Sequence, residues 1–331
     1  MTKPAHSPSG DIAVAQDGFD TLGPTVRTAQ VESGRTVHYI AEDECLDGPT
    51  LLFFGGAGST VRAFGLLEFA RTLRQHLHIG VVCVERNGLG QTPFNPVVGP
   101  NEYAADVWSL LVQLGIDAVS LVAISGGGPY AARVASMRPE WIRSLHLACA
   151  WSEAPQNPHS ERSAVSTADM AAIAADPVKW WTFPANSSVH RIPGFDDSVI
   201  EEATRGIFAT GRDTPPEGLL HAYEIYQSEP LPDLSTVRAP AFLYRGSADD
   251  VVPVSHLERW SAALPHVVAR RIYPDEGHDV QYRHWDQILS DVAFLGERIL
   301  VCQHGRSVLV EPARAEQLIA DGATLGMCAW S

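Results

Sequence analysis

LVAISGGGPYAARVAS, residues 121–136, runs from four apolar residues into a serine among small neighbours, then straight into a stretch of helical periodicity. A strand that passes so abruptly into a helix forces its central residue into a strained backbone conformation and needs small residues two positions to either side. Ala123 and Gly127 meet that need around Ser125. Ser125 would then stand at the strand top, where the Gly126 N–H and the start of the next helix can stabilise a developing negative charge. A phosphate-binding glycine turn fits less well, because the spacing is not G-x-G-x-x-G and no acidic residue at the next strand end suits a ribose. Gly56-Ala57-Gly58 and Gly88-Leu89-Gly90 both fail at the third glycine.

Outward from this turn the chain alternates two patterns. TLLFFG (50–55), IGVVCVE (79–85), AVSLVAI (118–124) and IRSLHLACA (142–150) are short continuous apolar runs, as strands buried on both faces of a parallel sheet require. Between them, 61–77, 102–115 and 129–137 carry apolar residues near the 3.6 period of a helix. TVRTAQVE and RTVHYIAE alternate at period two around Ser33-Gly34, which predicts a hairpin ahead of the sheet. The rhythm stops from 151 to 238 and resumes with PAFLYRG (240–246), a helix through SHLERWSAAL, VVARRIY (267–273) and a helix from about 280. Strand alternating with helix predicts an α/β fold with a doubly wound, mostly parallel sheet. The organisation expected is a flexible arm at 1–24, a core at 25–150 and 239–298, an inserted lid at 151–238, and an α+β extension at 299–331 that turns at His304-Gly305.

The 331 residues carry 24 basic and 39 acidic side chains, a net charge of −15, with the basic ones scattered. No phosphate-tracking surface is implied, and nucleic acid is not an expected partner. Lys3 and Lys179 are the only lysines, which leaves a Schiff-base enzyme a single candidate beyond the arm and a GxxxxGK[ST] loop none. Without an apolar leader or an 18-residue apolar run, a cytoplasmic protein with no membrane partner is expected. The five cysteines are odd in number, widely spaced and mostly in apolar runs, so free buried thiols are expected rather than disulfides.

A serine hydroxyl needs a base, and the base needs an orienting carboxylate. RGSADDVVP places Asp249 after one strand and DEGH places His278 after the next, so Ser, Asp and His follow in that chain order. Asp250 is a second candidate for the acid, with Asp249 then capping a helix, and His284 is the nearest rival histidine. Glu85 and Arg86 read as a structural ion pair.

These segments together resemble the α/β-hydrolases over roughly residues 25–300. FFGGAGST is similar to that family's His-Gly-x-Pro-Gly loop and ERNGLGQT to its Asp-Arg-x-Gly-x-Gly-x-Ser turn. The resemblance implies Ser125 as nucleophile, Asp249 as acid, His278 as base, and the backbone N–H groups of Gly56 and Gly126 as oxyanion donors. Phe54, Ala57, Ala123 and Glu85 depart from the pattern without removing a catalytic atom, and Phe54 is placed at a pocket wall. It further implies a helical lid at 151–238 that decides specificity. That segment holds 13 acidic and 6 basic residues and an aromatic set from which Trp151 and Trp181 are taken as pocket candidates, suiting a small, largely apolar substrate. The expected reaction is cleavage of an ester, lactone or related acyl bond through an acyl-enzyme. Hydrolysis of a C–C bond, a lyase or epimerase, and a small-molecule receptor are the alternatives on the same fold. No cofactor and no metal are expected. Cys302, His304 and Cys328 could converge as soft ligands, but buried thiols fit them better.

Overall fold

The computed structural model describes residues 12–14, 25–42, 47–67, 70–152 and 217–328. Most of the segment 151–238, expected to form an inserted lid, lies outside the described residues, Trp181 included. After β1 (Ile12–Val14), eight strands form the main sheet: β2 (Arg27–Gln30), β3 (Thr36–Glu42), β4 (Thr50–Phe54), β5 (Gly80–Val84), β6 (Val119–Ile124), β7 (Ile142–Ala148), β8 (Ala241–Gly246) and β9 (Val267–Tyr273). Their order is β2-β3-β5-β4-β6-β7-β8-β9. The first two strands are antiparallel, as the hairpin pattern predicts, and β5 onward is parallel. The continuous apolar runs have the buried places: every residue of β5, β6 and β8 is buried. Edge strand β9 instead alternates, leaving Val268 and Ile272 exposed.

The α-helices among the described residues are α1 (Arg71–His76), α2 (Pro100–Gln113), α3 (Gly128–Met137), α4 (Glu217–Ser228), α5 (Val254–Ala263), α6 (Val280–Arg283), α7 (Trp285–Phe294) and α8 (Pro312–Ala320). One core cluster joins Val107, Trp108, Val134, Tyr223 and Trp260 from α2 to α5 with one set of strand residues; a second joins Leu73, Trp285 and Ile288 from α1 and α7 with another. Side chains of this size are each worth about 2 kcal/mol when fully buried. The two buried indoles of the first cluster keep their hydrogen bonds, Trp108 Nε1 donating to the Val134 carbonyl at 3.0 Å and Trp260 Nε1 to that of Ala150 at 2.9 Å.

Two predicted helices are broken. Over 61–77 the chain forms a 3-10 turn at Val61–Leu66 and then the short α1. Gly65 weakens helix propensity there, and the Glu85 carboxylate holds the Val61 N–H at 3.0 Å. The last helix of the core is divided at His284, whose ring is drawn to Glu276 at 2.8 Å, and it ends at Leu295 in the left-handed region.

The extension forms a second sheet of order β1-β11-β10-β12, from β10 (Ile299–Gln303), β11 (Arg306–Val310) and β12 (Thr324–Leu325), with α8 beside it. Its hairpin turns at His304 and Gly305, both at positive φ, as expected. Two expectations are corrected here. Within the stretch read as a flexible arm, Ile12–Val14 is a strand paired with Ser307–Leu309. Cys302 and Cys328 are not free thiols but a disulfide, which also removes them as soft metal ligands; Cys83 and Cys149 are free and buried. Among the described residues no helix is long and apolar enough to cross a membrane.

Candidate active site

Strand β6 lies in the middle of the sheet between β4 and β7, and its C-terminal end delivers Ser125. Ser125 has φ 49°, a left-handed conformation that costs a non-glycine residue about 1 kcal/mol or more. A 3-10 turn, Ser125–Gly127, leads directly into α3, so the abrupt turn expected from the sequence is present. The Ser125 carbonyl accepts the Trp151 N–H at 2.9 Å, tying the turn to the end of β7. A Cβ on Gly127 would stand 2.4 Å from the Phe54 carbonyl oxygen, so only glycine lets the turn approach β4 this closely.

Loop 55–60, after β4, lies against the elbow, with Ala57 N 2.9 Å from where a Cβ of Gly126 would be. The Gly56 carbonyl is held by Ser59 N at 3.2 Å, Ser59 Oγ at 2.7 Å and Arg86 Nη2 at 2.5 Å. Among the described residues no acceptor meets the Gly56 N–H. Arg86 therefore serves this loop, donating also to the Ser59 carbonyl at 3.0 Å, while Glu85 turns to Val61. The expected Glu85–Arg86 ion pair is corrected: among the described residues neither carboxylate oxygen of Glu85 is bonded by the guanidinium. Burial pushes the Glu85 carboxyl up to about 7, against the pull of the Val61 N–H and the nearby arginine charge.

Asp249 and His278 come from the loops after β8 and β9. These loops are tied by Ala248 N to the Glu276 carbonyl at 2.9 Å and by Asp275 N to Ser247 Oγ at 2.8 Å. Gly246 permits the approach, since a Cβ there would be 2.1 Å from the Glu276 oxygen. His278 Nδ1 is 3.2 Å from both Asp249 carboxylate oxygens. Oδ1 also accepts the N–H groups of Val251 and Val252 at 2.9 and 3.0 Å. Arg245 Nη1 stands 3.6 Å from Oδ2. The Asp249 side chain is fully buried, whereas Asp250 is exposed; His284 is occupied by Glu276 and stacked on Tyr273. Burial alone would lower the His278 pKa, but the charge and hydrogen bond of Asp249 outweigh it and the net shift is upward. Burial likewise opposes the Asp249 charge, and the imidazole, the backbone N–H of Val252 and the Cys149 thiol more than compensate, so its pKa is lowered.

Cys149, at φ 45° just past β7, was not singled out for chemistry in the sequence, and only its place at a strand end beside Ser125 hints at this neighbourhood. Its thiol, the Asp249 carboxylate and the His278 ring offer ligand atoms within 4.8 Å of one another. The thiol faces a carboxylate already committed to the imidazole, and burial holds its pKa well above the ordinary range, which disfavours the thiolate a metal would need. Phe54 is 2% exposed and belongs to the core cluster below the elbow. Trp151 is half-buried with its ring 4.6 Å from that of His256 on α5. Tyr226 on α4, which sequence reasoning passed over, places its hydroxyl 2.6 Å from where a Cβ of Gly126 would lie.

Residues 48–284 match the profile of the family described as alpha/beta hydrolase fold. No curated protein matches the chain. Solved structures that superpose on it include a bromoperoxidase from Bacillus anthracis, at 17% identity and TM-score 0.63, over 81% of this chain and 98% of that one. An enol-lactonase from Burkholderia xenovorans LB400 superposes at 20% identity and TM-score 0.61, over 80% and 98%. An esterase from Rhodococcus sp. ECU1013 does so at 15% identity and TM-score 0.59, over 82% and 98%. At these identities the likeness is one of fold.

Proposed function

Since the chain belongs to the alpha/beta hydrolase fold family, we propose that it is a serine hydrolase, cleaving an ester, lactone or related acyl bond of a small, largely apolar substrate. The observation that carries this reading is the buried Asp249 carboxylate 3.2 Å from His278 Nδ1, in a chain that also holds Ser125 at φ 49° on a strand-to-helix turn. A scaffold has no use for the strain at Ser125. In the reaction, Asp249 holds His278 in the tautomer that keeps Nδ1 protonated and Nε2 free to act as base. Ser125 Oγ attacks the acyl carbon as its proton passes to Nε2, and the oxyanion forms beside the N–H groups of Gly56 and Gly126. Collapse expels the leaving group with the proton from Nε2. Water, activated by the same imidazole, then releases the acid and restores the serine. The esterase and enol-lactonase of the same fold act on bonds of this class, which supports the substrate class without naming a substrate.

The test is reaction with a fluorophosphonate, read as intact mass, with Ser125→Gly as control. One adduct in the wild-type protein, absent from the variant, is the expected result. The glycine also relieves the positive φ and should stabilise the fold by about 1 kcal/mol. A folded wild-type protein that forms no adduct would overturn the reading and turn attention to a receptor or a non-hydrolytic enzyme.

A further inference from the structure

The hydroxyl of Tyr226 occupies the place that a side chain next to Ser125 would otherwise fill. A Cβ on Gly126 would stand 2.6 Å from the phenol oxygen and 2.9 Å from Ala57 N, so the phenol, the elbow and the backbone loop after β4 converge on one spot. The phenol oxygen accepts from Arg86 Nη1 at 3.2 Å. Arg86 is anchored at its other nitrogen by the Gly56 and Ser59 carbonyls and lies over the Tyr130 ring, 5.2 Å from its centroid.

A guanidinium has donors only, so its bond to Tyr226 consumes a lone pair of the phenol and leaves the O–H to donate. Among the described residues no acceptor takes that hydrogen. Tyr226 is 4% exposed and packed edge-on against Tyr130 and Tyr223, and an unmatched buried donor is costly unless something supplies an acceptor. Burial raises the phenol pKa more than Arg86 lowers it, so the proton stays in place at neutral pH.

We propose that Tyr226 is a third oxyanion donor, giving its hydroxyl hydrogen bond to the substrate's acyl oxygen beside the Gly56 and Gly126 N–H groups, with Arg86 aiming it. This rests on the serine-hydrolase reading above. As the Ser125 Oγ–carbon bond forms, the π pair of the carbonyl moves onto oxygen and the serine proton goes to His278. Tyr226 keeps its own proton throughout and tightens its hydrogen bond as that oxygen gains charge. Helix α4 thereby contributes a donor to the site.

Tyr226→Phe keeps the ring contacts and removes the hydroxyl, both the donor and the acceptor of Arg86 Nη1, so a thermal melt first establishes that the variant is folded. With p-nitrophenyl acetate its kcat should fall about 10- to 100-fold while KM changes little, because the bond strengthens only in the transition state. Affinity for phenylboronic acid, which becomes a tetrahedral anion on the serine, should fall by a similar factor. A folded Tyr226→Phe protein with wild-type kcat and boronate affinity would overturn the inference while a Ser125 fluorophosphonate adduct left the hydrolase reading standing. A loss seen with ethyl acetate but not with p-nitrophenyl acetate would overturn it too, by placing the phenol at the leaving group. Absence of the Ser125 adduct in the wild-type protein would sink both.

Discussion

Breaking the Cys302–Cys328 bond should destabilise the whole folded core and not merely fray the C-terminus. The bond closes a sequence separation of 26 residues, across β11, α8 and β12. Closure of that length removes about 12 cal/mol/K of chain entropy from the unfolded state, or about 3.5 kcal/mol at 25 °C. The loss is shared because Leu300, Leu309 and Met327 of the extension sit in the same cluster as Trp285 and Ile288, and because the Met327 N–H donates to Asp286 Oδ2 at 2.8 Å. Spread over the unfolding entropy of a chain of 331 residues, it amounts to a fall of about 5 °C in Tm. Thermal melts followed by circular dichroism, with and without a phosphine reductant, measure it directly. The Cys302→Ala, Cys328→Ala double variant should melt near the reduced wild type and ignore the reductant. Coincident oxidised and reduced melts would refute the entropy argument, and a separate early transition would refute the coupling to the core. Alkylation of the denatured, unreduced protein at Cys302 and Cys328 would refute the bond itself.

Two pH effects follow from the buried groups. His278 must be neutral to act as base, so the acid limb of kcat/KM should lie above the ordinary imidazole value of 6.5, and in Asp249→Asn it should move down in pH as kcat collapses; a p-nitrophenyl acetate profile with an unmoved limb would contradict this. The pair stabilises the fold most between about pH 4 and 6.5, because the raised His278 contribution fades as pH rises through its folded pKa and the lowered Asp249 contribution fades as pH falls through its own. For Glu85, raised from 4.5 to about 7, the sign is opposite to the usual carboxylate: its stability contribution is full below 4.5 and lost as pH rises through 7, at most about 3 kcal/mol. Glu85→Gln keeps an acceptor for the Val61 N–H and should raise Tm at pH 8 relative to pH 5; an equal shift at both pH values would count against the buried charge.

The core of the reading was local. Continuous apolar runs placed β4 to β8, and alternation placed the first hairpin, because burial on two faces or one is written into residues adjacent in the chain. The turn at Ser125 was legible for the same reason, since its small residues and the helix that follows all lie within a few positions. Helix breaks were not, because His284 leaves helical geometry to reach Glu276, and that partner becomes near only after β9 has docked.

Glu85 and Arg86 show the limit of reading neighbours as partners. Successive side chains of an extended segment point to opposite sides, so one reaches Val61 and the other the Gly56 carbonyl, which adjacency in the chain cannot foretell. The disulfide escaped notice because a bond between β10 and the chain past β12 is a matter of distance in space, and an odd cysteine count with no recurring spacing carries no trace of it. Tyr226 escaped because an apolar stripe on a helix looks the same whether its tyrosines fill a core or point at a reaction centre. Composition and pattern thus determined the sheet, its helices and the order of serine, acid and base. Packing alone decided which carboxylate is buried against His278, what Arg86 serves and what stands over Gly126, because those depend on contacts between segments 27 to 140 residues apart in the chain.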